Sequence, residues 1–161
     1  MKTQKQTLIF LKPFTIKNPT LDEQNEFMLL EIVNEVECAH LGIIYNNDKL
    51  YGKDLYEFIN KEVHSLKPEW IVAEGECATA ALAMKKQKKI LINPKVTFDD
   101  LNNVPEHTRR NTFGFFDDRH EQDYERFLTV YPHGAWFPQY DNLTLSTIKE
   151  IVKSIIETGE W

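Results

Sequence analysis

The sequence predicts an α/β fold: a single-domain, three-layer α/β/α sandwich on a mainly parallel six-stranded sheet. Three observations predict it. Short apolar runs alternate with helix-like segments along the chain. Several of these runs stop at breakers, such as Lys12-Pro13 and Asn93-Pro94. The stretch Trp70 to Ala83 passes from an apolar run through Gly75 into an Ala-rich segment, which reads as strand, sharp turn and helix. Runs that are apolar throughout suit a parallel sheet covered on both faces.

The elements follow in order. Leu8 to Leu11 is the first strand. Thr20-x-x-Glu23 has the form of a capping box, and the helix after it carries Met28, Leu29, Ile32, Val33 and Val36 on one face. Leu41 to Tyr45 is the second strand, ended by Asn46-Asn47-Asp48. Tyr51 to Leu66 is an amphipathic helix with Leu55, Phe58, Ile59 and Val63 facing inward. Pro68 breaks the chain before the third strand, Trp70 to Ala73. Lys89 to Ile92 is the fourth. Lys95 to Arg110 reads as loop with one helical turn near Asp99. Thr112 to Phe116 is the fifth strand, a short helix covers Glu121 to Phe127, and Leu128 to Tyr131 is the sixth strand. A last helix carries Leu145, Ile148, Ile151, Val152, Ile155 and Ile156 on one face.

Composition bounds the function. The chain of 161 residues is long enough for a real core, and 42% hydrophobic with 27% charged residues is ordinary for a globular protein. A net charge of -6 disfavours nucleic acid or an anionic membrane as a general partner. The basic run Lys85-Lys86-Gln87-Lys88-Lys89 suits the end of the Ala-rich helix. Cys38 and Cys77 form neither a disulfide framework nor a metal pair. The polar start, Met1 to Gln6, leads straight into a strand, so a cytoplasmic location without membrane anchorage is expected. No metal or cofactor is implied: Asp117, Asp118 and His120 are weakly spaced as ligands.

Candidate chemistry gathers where a parallel sheet binds ligands, beyond the carboxyl ends of its strands. Cys77 has Gly75 and Thr79 two residues away on either side, which is the pattern of a nucleophile elbow. The N–H of Ala78 would then face an oxyanion. Asp117, with Asp118 as competitor, follows the fifth strand. His133 follows the sixth, with His120 and His107 as rivals. Trp136 and Phe137 could line an acyl pocket, and Glu76 stands beside Cys77.

With these motifs the chain resembles the α/β-hydrolase family, above all its small capless YqiA-like bacterial esterases. Leu11-Lys12-Pro13-Phe14 stands where the family has a Leu-His-Gly-Phe-like turn. Gly75-Glu76-Cys77-Ala78-Thr79 replaces Gly-x-Ser-x-Gly, Leu91-Ile92-Asn93-Pro94 matches a strand-end motif, and Gly114-Phe115-Phe116-Asp117 matches Gly-x-x-Asp. The resemblance implies a minimal α/β-hydrolase fold with strand order 2-1-3-4-5-6. It also implies a triad in which Cys77 attacks a small ester or thioester, His133 moves the proton and Asp117 orients the imidazole. The backbone N–H groups of Phe14 and Ala78 would hold the oxyanion. Cysteine for serine, the bulk of Thr79 and the lost His-Gly together give an alternative: a catalytically degenerate member that binds a ligand or partner without turnover. A flavodoxin-like binding domain shares the alternation but needs a phosphate cradle, and Lys12-Pro13-Phe14-Thr15 does not supply one.

Overall fold

The computed structural model describes residues 7–12, 40–45, 50–138 and 145–158. Its strands are β1 (Thr7–Lys12), β2 (His40–Tyr45), β3 (Trp70–Glu74), β4 (Lys88–Ile92), β5 (Thr112–Asp117) and β6 (His133–Phe137). Its helices are α1 (Gly52–Leu66), α2 (Glu76–Ala81), α3 (Glu106–Arg110), α4 (Glu121–Leu128) and α5 (Leu145–Thr158). Backbone pairing runs β2-β1-β3-β4-β5-β6, and every pair is parallel.

The expected six-stranded sandwich of minimal α/β-hydrolase type is corrected. Among the described residues, a four-stranded parallel core, β3 to β6, stands with five α-helices, and β1 and β2 pair onto its β3 edge. Three helices lie on one face among the described residues and one on the other. Leu55, Ile59 and Val63 of α1, Ala78 and Ala81 of α2, and Phe127 of α4 pack with Ile71, Ala73, Leu91 and Phe116. On the second face Ile148, Ile151, Val152 and Ile155 of α5 pack with Trp70, Val72, Ile90, Phe113 and Phe115. Alternation along each strand assigns the two sets, since successive side chains point to opposite faces.

The sixth strand is not the segment expected. Leu128 to Tyr131 finishes a helix: the Thr129 N–H donates to the Arg126 carbonyl at 3.1 Å and the Tyr131 N–H to the Phe127 carbonyl at 2.9 Å. Phe127 and Tyr131, four residues apart, stack at 4.6 Å and are both buried. This is a helical contact, so the apolar run reports a helix face. The strand begins at His133 instead. The long loop before β5 contains a 3-10 turn at Asp99–Leu101 and the short helix α3, which was not expected.

Gly114, beside Gly134 in the sheet, sets the distance between α4 and the sheet. A Cβ at Gly114 would lie 2.8 Å from the ring of Phe127, which is itself wholly buried. The absent side chain lets α4 rest directly on β5. The helix of 20–36, the turn at 46–48, Cys38 and Phe14 lie outside the described residues.

Candidate functional site

The turn after β3 decides what this edge can do. Gly75 has φ 57 and ψ -126, a conformation that an L side chain strains to adopt. Its N–H donates to the Ile92 carbonyl at 2.9 Å and its carbonyl accepts from the Thr79 N–H at 3.1 Å, which pins strand to helix. In a nucleophile elbow the reacting side chain sits on the strained residue of this turn. Here that residue is Gly75, framed by the small residues Ala73 and Cys77 two positions away. The strained apex therefore carries no side chain.

Cys77, expected at the apex, is a residue of α2. It is 2% exposed and packs in the core among the α1, α2 and α4 residues. Ala78, its expected oxyanion donor, is likewise a fully buried helical residue. Phe14, the other expected donor, lies outside the described residues.

Asp117 ends β5 and is fully buried. Its carboxylate accepts from the Arg119 guanidinium at 2.9 Å, the Arg119 N–H at 3.0 Å and the Asn93 side-chain amide at 2.9 Å. Asn93 completes the link by accepting from the Asp117 N–H at 2.9 Å. Burial pushes the carboxyl upward, but the hydrogen bonds and charge of Arg119, helped by Asn93, hold it below the usual range. The β4–β5 edge is thus closed by its own polar groups. Sequence reasoning missed Arg119, whose position two residues after a strand-end acid was the available signal.

His133 does not join Cys77 and Asp117. It opens β6, and its register partners run through Phe113 of β5 and Ile90 of β4 to Val72 of β3. Three strand spacings separate it from β3, roughly 14 Å. Its ring stacks on Phe113 at 4.7 Å, on the α5 face, whereas Cys77 packs on the opposite face. The expected triad of Cys77, Asp117 and His133 is corrected accordingly. The misplaced sixth strand was the cause.

The rivals do not replace it. His107 lies in α3, ahead of β5 and at the wrong end of the sheet. His120 follows β5, and its Nδ1 lies 3.1 Å from an Asp123 carboxylate oxygen; the other oxygen accepts from the Val96 N–H at 2.9 Å. Asp118 is an exposed residue of the 3-10 turn Asp118–His120. No group of three or more His, Cys, Asp or Glu side chains suits a metal ion among the described residues.

The expected pocket residues also separate. Trp136 faces the side of Cys77, donates its indole N–H to the Asp117 carbonyl at 3.1 Å and stacks near Tyr124. Phe137 faces α5 and stacks on Phe115. Adjacent strand residues point apart, so the two cannot line one pocket. Glu76 is exposed and lines a groove of about 390 Å³ between the first turn of α1 and α2. Lys53 and Lys95 share that groove.

No family model and no curated protein matches the chain. Among solved structures, one similar chain is a "putative lipoprotein" fragment from Peptoclostridium difficile 630. It is 14% identical, covers 78% of this chain and 96% of its own length, and has a TM-score of 0.45. Likeness at that level carries no argument about fold or chemistry. No helix among the described residues is long and apolar enough to cross a membrane.

Proposed function

We propose that this protein binds a ligand or partner at the carboxyl edge of its sheet without hydrolysing it. The observation that carries this reading is the glycine at the strained apex after β3. A reacting oxygen or sulfur would have to stand there to meet a backbone oxyanion site at the helix start. Two further observations support it. The histidine expected to act as base is on the other face of the sheet, and the acid expected to orient it is bound to Arg119 and Asn93. The resemblance to the hydrolases then lies in the strand–turn–helix frame and not in its reacting groups.

The test is turnover of short-chain p-nitrophenyl esters and acyl thioesters by the wild-type chain, Cys77→Ala and His133→Ala. All three are expected to match the buffer rate. Hydrolysis lost in both variants would restore the esterase reading and overturn this one.

A further inference from the structure

We propose that the seam between α1 and α2 is a docking groove for an acidic, extended peptide segment of a partner protein. The proposal rests on the binding reading above and names the partner's chemistry. Two hollows lie along this seam. The first, of about 390 Å³, is the one bordered by Lys53, Glu76 and Lys95. The second, of about 460 Å³, is bordered by Asn60, His64, Lys85 and Lys86. Both are lined by Tyr56 and Ala83, so they adjoin there and follow α1 from its first turn to its last. Fifteen helical residues span about 22 Å, which matches six or seven residues of extended chain.

Charge selects the occupant. Among the described residues, Lys53, Lys85, Lys86 and Lys95 line the seam, all exposed, against one carboxylate, Glu76. Asp54, Glu57 and Glu62 of α1 do not line it, although Lys53 reaches Glu57 at 3.8 Å. This is a basic strip on a chain of net charge -6. Such a strip steers and orients an acidic partner. The floor is apolar: Leu55, Val63, Ala80 and Met84 stand beneath the charges, with Tyr56 half-buried midway. Apolar anchors between carboxylates fit that floor. A nucleic acid backbone, which needs phosphate contacts all along its length, fits it less well. The lysines give orientation, and Tyr56 gives a central contact of the kind that anchors interfaces.

The experiment is fluorescence anisotropy at low salt with a fluorescein-labelled decapeptide alternating glutamate with leucine. Its controls are the lysine–leucine counterpart and a labelled ten-nucleotide oligouridine. The glutamate peptide is expected to bind at least about tenfold more tightly than either control. The paired change Lys85→Glu with Lys86→Glu is expected to weaken it at least about fivefold. Ala83→Arg separates groove from general surface charge. It adds a positive charge where the two hollows meet, so loss of binding means the groove is occupied and tighter binding overturns the proposal. Equal affinity for the two peptides, tighter oligouridine binding, or an unchanged affinity in the paired variant would also overturn it. Circular dichroism confirms that each variant is folded. Absent peptide binding with absent ester turnover defeats this inference and leaves the binding reading standing. Turnover defeats the binding reading directly.

Discussion

Two regions of the molecule differ in what their polar groups face. At the β4–β5 seam, Asp117, Asn93 and Arg119 bind one another, and Trp136 closes over the Asp117 carbonyl. Between α1 and α2, Lys53, Lys85, Lys86 and Lys95 stand exposed around an open groove. The residues that resemble catalytic groups therefore hold the edge together, and exposed lysines stand elsewhere, around the groove. A strand-end acid indicates chemistry only when its carboxylate is available, and here the hydrogen bonds that lower its pKa are structural ones.

Breaking the closed side should have the largest effect. Phe127→Ala removes the wholly buried ring on which α4 rests against β5 and stacks on Tyr131. Chemical denaturation should show a loss of about 3–5 kcal/mol. Gly114→Ala tests the same contact from below: its methyl group would meet the Phe127 ring at 2.8 Å, and a cost of about 1–3 kcal/mol is expected. Asp117→Asn leaves the Arg119 donors facing a neutral amide and should cost about 1–3 kcal/mol at pH 7.

That acid also has a pH signature. Its folded pKa lies below the unfolded value of about 3.9, so its contribution is present above that pH and is lost as pH falls through the folded value. Acid unfolding curves of Asp117→Asn should lack this component. Lys89, at the other end of the sheet, gives a slope of the same sign at higher pH. It is fully buried, its ammonium donates to the Met84 carbonyl, and burial with Lys85 nearby pushes its pKa down to about 8. Between about pH 8 and about pH 10 the unfolded chain holds a proton that the folded chain has released, so stability rises with pH across that window. Lys89→Met should flatten the rise. Tyr131, raised to about 12 by burial and Asp100, acts only above that range. The smallest effect belongs to the open side. Thr79→Val removes the oxygen that accepts from the Lys95 N–H at 2.9 Å, at a cost of about 0.5–1.5 kcal/mol.

The sequence exposed β3, β4 and β5 because continuous apolar runs ended at Gly75, Asn93-Pro94 and Asp117-Asp118. The faces of α1 and α5 were equally readable from their periodicity. The site was harder, and for a specific reason. The motif small-any-apex-any-small fits both Gly75 and Cys77, and only the backbone angles show which one is strained. A search for a nucleophile favours the cysteine, whereas the turn needs the glycine. His133 was misread because Leu128 to Tyr131 has the composition of a strand while its residues stack at helical spacing. A shift of one element moved the histidine from one end of the sheet to the other. The link between Asp117, Asn93 and Arg119 joins residues 24 positions apart, which no local pattern displays.

The turn after β3 presents no reacting side chain. Intact-protein mass spectrometry after incubating the native chain with p-nitrophenyl acetate tests it most directly. No Cys77-dependent acyl adduct is expected: Cys77→Ala and wild type should give the same spectrum. An acetyl adduct that forms on native protein, maps to Cys77 and disappears in His133→Ala would contradict it.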